Sequence, residues 1–341
     1  MDGAKDAAGD HAPTVPLDVH GHPIDPAGDC VHVPPVGVAR WTENIQWNVV
    51  GSDGLGVTWH IGTMLDDPSL WHIVVTVVRP DGAVFTDKQV APGIGSFGSP
   101  SAHLATVEPF VKWKFHYRGA MLPVRPGAAA ASLLVDDNHI PVSVELTLTA
   151  AYPVWLPSGS EVHGDWGRFH HEQAVVATGQ IVVGGEPLAF SGVGHRDHSI
   201  GPRDLSRLRR AFWGNGIFES GWAFATMQGE YDEGDFQRAA VFIGDDFFEV
   251  LMTDWTVLDD ADGSPKDISV RLSADGWERV IKGRIHAGMS FTLADGAEYC
   301  LGTDRTNPHR YMMTNMFVHW ECAGEPGSGY LDRGARISLL R

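Results

Sequence analysis

Four titratable side chains stand side by side at His195-Arg196-Asp197-His198, inside the run Gly192-Val193-Gly194-His195-Arg196-Asp197-His198-Ser199-Ile200-Gly201-Pro202-Arg203. Two imidazoles and a carboxylate can donate, accept and relay protons near neutral pH, where histidine titrates. Three glycines and a proline disfavour a helix here, so the sequence predicts a tight bend that holds these groups at fixed angles. Such a bend is either an active site or a hydrogen-bonded loop in which Asp197 caps backbone amides and Arg203 pairs with an acid. Residue types alone admit both, because geometry decides. One strand upstream, His170-His171-Glu172 adds two imidazoles and a second carboxylate. If the two segments share a rim, Glu172 and Asp197 raise one another's pKa and leave one carboxyl protonated, ready to act as an acid. Otherwise Glu172 is an ordinary strand-edge residue. His195, Asp197, His198 and His171 also form a donor set suited to Zn or Fe(II), but neighbours on one bend rarely converge on a single ion, and no metal is expected.

The run resembles the G-x-G-x-x-D-H-x-x-G signature of the carotenoid 1,2-hydratase (hydroxyneurosporene synthase) superfamily, which also takes in kievitone hydratase and natural-product Diels–Alderases. It is similar, more closely, to a bacterial branch in which the motif reads R-D-H-S-W-G-x-R and follows a Glu-Gln pair like Glu172-Gln173 here. The likeness is specific over about residues 170 to 203 and only topological elsewhere, and Ile200 stands where that branch usually has Trp, which would alter the pocket wall. The resemblance implies an all-β chain of two lipocalin-like barrel or sandwich domains with a ligand cavity at or near their interface. It implies cofactor-independent acid–base catalysis on a hydrophobic small molecule, isoprenoid, steroid-like or aromatic. Hydration or dehydration of a C=C bond leads within that class, with Asp197 as the acid, His198 holding it, and His195 or Glu172 positioning the water. Isomerisation or cyclisation would use the same parts. The competing class is a lipocalin-like carrier of a hydrophobic ligand, in which Asp197 and His198 only brace the domain interface. A metal-dependent hydrolase or lyase is a third, weaker reading.

Composition limits the alternatives. With 341 residues the chain can hold two domains with real cores, and a hydrophobic fraction of 43% excludes disorder. No apolar run reaches the ~20 residues of a membrane span, so stable insertion is not expected. A formal charge of −18 disfavours nucleic acid and anionic membrane surfaces as partners, and leaves self-association open. The N-terminus shows no basic stretch followed by an apolar core, which points to the cytoplasm. Cys30, Cys300 and Cys322 are an odd three without a C-x-x-C pair and are read as small buried hydrophobes. There is no phosphate loop, no nucleophile elbow and no dinucleotide fingerprint, so no organic cofactor is expected.

The elements that must position the motif read as strands. Residues 1–35 form a Pro-, Gly- and His-rich arm, with His11, His20, His22 and His32 among turn formers. The β-branched run Leu70–Val78 ends at Arg79-Pro80-Asp81-Gly82 and resumes at Val84, as a hairpin would, while Val144–Thr149 alternates strictly. Residues 152–170 lack periodicity and are expected to connect a domain over 36–160 to one over 161–341, which would carry the motif at the end of a hairpin strand. Short strands punctuated by Asp-Gly turns at Asp262, Asp275 and Asp295 follow. Pro202–Arg210 is expected to be helical, its basic face able to meet an acidic substrate group through Arg203. Of twelve tryptophans, most belong in cores, as do Met312 and Met313. His171, Trp213, Trp222 and Met316 are the expected cavity wall, where aromatic faces could stabilise a carbocation.

Overall fold

The computed structural model describes residues 15–124, 138–157, 169–232, 234–259, 265–293, 298–301 and 307–339. Among them there is no α-helix, and strands dominate. The first sheet contains β1 (Trp41–Val50), β2 (Gly56–Thr63), β3 (Leu70–Val78), β4 (Val84–Pro92), β5 (Phe97–Ser99), β6 (Ala102–Glu108), β7 (Lys112–Val124), β8 (Ile140–Ala150), β9 (Phe169–Val183) and β10 (Glu186–Pro202). Its order is β4-β3-β2-β1-β10-β9-β8-β7-β6-β5, and pairing of β4 with β7 closes eight of these strands into a barrel. The second contains β11 (Leu208–Phe218), β12 (Ala223–Tyr231), β13 (Asp235–Ile243), β14 (Asp246–Asp259), β15 (Pro265–Ala274), β16 (Trp277–Leu293), β17 (Tyr299–Leu301), β18 (Tyr311–Cys322) and β19 (Glu325–Arg336). There β15 pairs with β16 and closes a second ring. Closure removes the exposed edges that an open sheet would offer to other chains.

Each barrel has its own core, and a third cluster joins them. Trp47, Trp59, Trp113 and Phe115 stack inside the first barrel, while Val241, Val270, Met316 and Trp320 fill the second. Between them, Val50, Val74 and Val78 meet Met289, Phe291 and Phe317. Strands β1 and β2 are therefore buried along both faces, one toward their own barrel and one toward its neighbour. Strand β3 is likewise buried almost throughout, which is why it reads as a near-continuous β-branched run rather than an alternating one.

Several sequence expectations change place. The motif is not a bend: Gly192 to Pro202 continues β10 as regular strand, paired with β1 and with β9. Its glycines serve proximity, since a Cβ on Gly194 would lie 1.8 Å from the Asn48 carbonyl oxygen of β1. The turn comes earlier, where Gly184 and Gly185 take φ of 61° and 89° to join β9 to β10. Because β9 and β10 hydrogen-bond into the first sheet, the motif belongs to that barrel and not to the second. The change of sheet falls at residues 203–207, and the aperiodic stretch at Tyr152–Pro157 runs back along it, Trp155 bridging to Glu172. Pro202–Arg210 is not helical; β10 ends at Pro202 and β11 starts at Leu208, because Arg203 turns inward and is buried. Cys322 is buried as expected, but Cys300 is half-buried and Cys30 exposed. His11, the end of the connection at 158–168 with Trp166, and the turns at Asp262 and Asp295 lie outside the described residues.

Candidate active site

Side chains alternate along a strand, and on β10 this splits the four motif groups between two faces. Arg196 and His198 point into the first barrel; His195, Asp197 and Ser199 point toward the second. Register carries the split across the sheet, with Asp197 opposite Glu172 on β9 and opposite Gln46 on β1, and with His198 opposite His171 and Ile45.

The outward face opens on a narrow cavity between the barrels, of about 70 Å³, space for a few waters or for the end of a branched chain. The first barrel contributes Asn44, Gln46, His60, His170, Glu172 and Asp197; the second answers with apolar side chains such as Phe212, Trp213, Met227 and Met313, together with Tyr299 and Asp332. Ser199 and Arg203 complete the wall, Arg203 donating to the Ser199 hydroxyl. Glu172 is held from three sides. His170 Nε2 lies 2.8 Å from Oε1, Trp213 Nε1 donates at 3.0 Å and 3.1 Å to its two oxygens, and His195 Nε2 approaches Oε2 to 2.7 Å, off the line of a good hydrogen bond. Burial works to raise the Glu172 pKa, but the bond from His170 and the charges of His170 and His195 outweigh it and hold the carboxyl below its ordinary value. His170 responds in the opposite sense: burial disfavours its charge, yet the Glu172 hydrogen bond and charge raise its pKa.

Asp197 is treated differently. It is half-buried and accepts from the Gln46 backbone N–H at 3.1 Å. Burial pushes its carboxyl up to about 7; the Glu172 charge adds to this, while His170, Arg203 and the Gln46 amide oppose it. Across the cavity Asp332 is pushed up to about 8, mainly by burial, with bonds from Asn315 and Tyr330 opposing and the Asp197 and Glu172 charges adding. One carboxyl held below its ordinary value and two raised to about 7 and 8 thus share one apolar space, the separation that divides bases from acids.

The inward face is a different construction. Arg196 Nη1 lies 2.5 Å from Asp29 Oδ1, its Nε donates to Gln173 at 3.2 Å, Nη2 lies 2.8 Å from His171 Nε2, and its guanidinium sits over Trp113 at 4.4 Å. Asp29 belongs to the short 3-10 turn Pro26–Asp29 of the N-terminal arm and also accepts from Phe110 N–H and Trp113 Nε1. His198 Nε2 lies 2.9 Å from Glu43 Oε1, which His32 Nδ1 approaches to 2.8 Å.

His198 therefore does not hold Asp197, because neighbours on a strand face opposite ways, and for the same reason His171 lies off the cavity. Trp222 is also remote: it stacks on Phe218 and donates to Glu325. Met316 is sealed in the second barrel, and its neighbour in the cavity is Met313. His195 reaches the site through Glu172. Arg203 and Trp213 line the wall. Ile200 lines a groove beside the arm, away from the cavity. Sequence reasoning missed Asp332, Tyr299, His60 and Gln46; for Gln46 the alternation Ile45-Gln46-Trp47-Asn48-Val49 on β1 was the available signal. The donor atoms of His170, Glu172 and Asp197 lie within 4.8 Å of one another, as do those of His32, Glu43 and His198 and of Asp29, His171 and His198. The set His195, Asp197, His198 and His171 is split by the sheet.

Residues 25–333 match the DUF7064 family, described as a domain of unknown function. The chain belongs to this family. No curated protein matches it in sequence. Among solved structures, this DUF7064 chain is similar to CghA with Sch210972 (12% identity, 91% of this chain and 95% of that one, TM-score 0.57). It is similar to kievitone hydratase from Nectria haematococca (12%, 91% and 94%, TM-score 0.52) and to a protein of Nitrosomonas europaea bearing the AttH designation (13%, 91% and 98%, TM-score 0.52). At such identities the likeness is one of fold, and it meets the motif's resemblance at that level. Among the described residues no helix is long and apolar enough to cross a membrane.

Proposed function

We propose that this DUF7064 protein is a cofactor-independent acid–base enzyme that adds water to, or removes it from, a C=C bond of a hydrophobic small molecule. The observation that carries this reading is the pairing of Asp197 with Glu172, directly opposite in register, facing one apolar cavity with their ionisation pulled apart. Asp197, titrating close to neutral pH and facing the apolar cavity, is the group from which a proton can leave toward an alkene carbon. Glu172, kept ionised by His170 and Trp213 and backed by His195, places negative charge beside the carbocation that results, and the Trp213 ring offers its π face. The size of the cavity suits the end of a branched chain or ring rather than a whole polyene. Kievitone hydratase, by its name a hydratase, shares the fold and supports the class. Isomerisation or cyclisation would follow if the same cation lost another proton or met an internal nucleophile.

The test is incubation of the purified protein with isoprenoids, steroid-like alkenes and prenylated aromatics in H₂¹⁸O, followed by mass spectrometry. A hydrated product carrying ¹⁸O is expected, formed about 10²–10⁴-fold more slowly by Asp197→Asn, the usual worth of a general acid. An isomeric product without ¹⁸O moves the reading to isomerase or cyclase. A stable Asp197→Asn protein with undiminished turnover ends it.

A further inference from the structure

The wall that the first barrel contributes contains polar atoms that meet no partner among the described residues: Asn44 Oδ1, Gln46 Oε1 and His60 Nδ1, on side chains at most 5% exposed. A buried polar atom left without a partner costs about 1–3 kcal/mol, so three on one ledge call for an explanation. The three residues sit next to one another in the sheet, Gln46 opposite His60 and Asn44 one step along the same face of β1, and all three line the cavity that holds Asp197. Asp197 is itself opposite Gln46 on the other side of β1, so the ledge begins where the acid ends.

The orientation of Gln46 is fixed by its surroundings. The Thr58 hydroxyl donates to the Trp47 carbonyl at 2.9 Å, so its oxygen has only lone pairs for Gln46, and Gln46 Nε2 fills one at 2.9 Å while reaching the Tyr330 hydroxyl at 3.2 Å. With the amide nitrogen committed, Oε1 is a bare acceptor. Asn44 Nδ2 donates to Thr42 Oγ1 at 3.1 Å, and its Oδ1 meets no partner among the described residues. His60 stacks flat on Tyr299 at 4.3 Å, and burial, with His72 and Arg203 nearby, keeps its imidazole neutral far below the ordinary range, so one ring nitrogen is an acceptor as well. Two bare amide oxygens beside an imidazole that can accept at one nitrogen favour a ligand that brings O–H over a ketone, an ether or an anion.

We propose that Asn44, Gln46 and His60 form the oxygen subsite of this cavity, which holds a water molecule beside an alkene and the hydroxyl of the corresponding alcohol. The proposal rests on the hydration reading above and names where its second reactant sits. Glu172, its oxygens already met by His170, Trp213 and His195, is the poorer holder of that water. In the forward step the Asp197 O–H bond breaks and its proton takes the alkene π pair at one carbon. The other carbon, now cationic, takes a lone pair of the water oxygen. The surplus proton on that oxygen passes to the free His60 nitrogen and from there returns to the Asp197 carboxylate, so that water and alkene are consumed, alcohol is formed and both side chains are restored.

Crystals of the full chain soaked in 2-methyl-2-butene and in 2-methyl-2-butanol, with saturation-transfer NMR for the affinities, test this without a known substrate. A water within hydrogen-bond distance of Gln46 Oε1 and Asn44 Oδ1 is expected in the alkene crystal, and the alcohol oxygen in its place in the other. The alcohol should bind about tenfold tighter than the alkene, and Gln46→Leu should erase that preference while sparing alkene binding. Absence of the water beside the alkene, an alcohol oxygen elsewhere, or a preference that survives both Gln46→Leu and Asn44→Leu overturns the proposal. The crystals of the unaltered protein decide even if the variants do not fold. Asp197→Asn is expected to leave the alcohol preference intact, so failure of the acid and failure of the oxygen subsite give separate signatures.

Discussion

Strands β9 and β10 carry two charged clusters back to back, less than one sheet thickness apart, and they are built on opposite rules. On the inward face every charge is met. Asp29 takes a guanidinium, a backbone N–H and an indole N–H, and Glu43, which burial alone would raise, is held below its ordinary pKa by His198 and His32. On the outward face His170 and Trp213 converge on Glu172, while burial raises Asp197 and Asp332 despite the bonds that these accept. The first cluster clamps the N-terminal arm into the mouth of the barrel and the second keeps acids ready beside a cavity. Burial works to raise the carboxyls of both faces; histidine partners hold Glu43 and Glu172 below their ordinary values, whereas at Asp197 and Asp332 burial prevails.

The comparison breaks most sharply at Arg196. Arg196→Met leaves Asp29 buried without its cation, and the expected loss is about 3–5 kcal/mol of stability, read by denaturant unfolding; a loss below about 1 kcal/mol would mean the inward cluster is no clamp. Next comes Trp213→Phe, which keeps the ring and removes a hydrogen bond to an ionised group, worth about 1.5–3 kcal/mol. Its expected effect is a fall in turnover and an upward shift of the acidic limb of the pH–rate profile, since Glu172 loses a donor. A change in melting temperature alone would assign the indole to packing.

The pH dependence of stability sharpens the contrast. A carboxyl whose pKa is raised on folding binds its proton more tightly in the native state, so the unfolded state holds fewer protons above its own pKa and stability declines as pH rises. For Asp197 and Asp332 that decline runs from about pH 4 to the folded values of about 7 and 8. His170, with its pKa raised, contributes stability present below the unfolded value and lost above the folded one, which has the same sign. Glu43 and Glu172, lowered on folding, lose their contribution only in acid. The melting temperature is therefore expected to fall between pH 6.5 and 9, and Asp332→Asn to flatten that slope. A slope unchanged in this variant would remove Asp332 from the acid cluster. The smallest effect is expected at Trp222, which lies off the cavity: Trp222→Leu should leave turnover within about twofold of the original, at a modest cost in stability from the lost stacking. A large loss of turnover would extend the site beyond the cavity described.

By itself the sequence determined the all-β class, because alternation and β-branched runs are local properties that strand pairing reads directly, as in β3, β4 and β8. It singled out Glu172 and Asp197 through the motif, but left open whether the two share a rim; the strand register settles that they lie opposite one another. It misled where glycine and proline stood in a row: Gly192 and Gly194 were expected to bend the chain, whereas they let β1 pass close to β10, a cause that lies on another strand. Once the run is strand, alternation alone sends His198 away from Asp197. Tertiary structure decided the rest. Which face of β10 looks at solvent, at its own core or at a second barrel is set by closure of the sheet and by docking of β11–β19, as is the arrival of Asp332 from the far end of the chain. The pKa that makes Asp197 an acid is set by burial and by where His170, Trp213 and Arg203 spend their hydrogen bonds. Those are relations between segments far apart in sequence, and no local pattern encodes them.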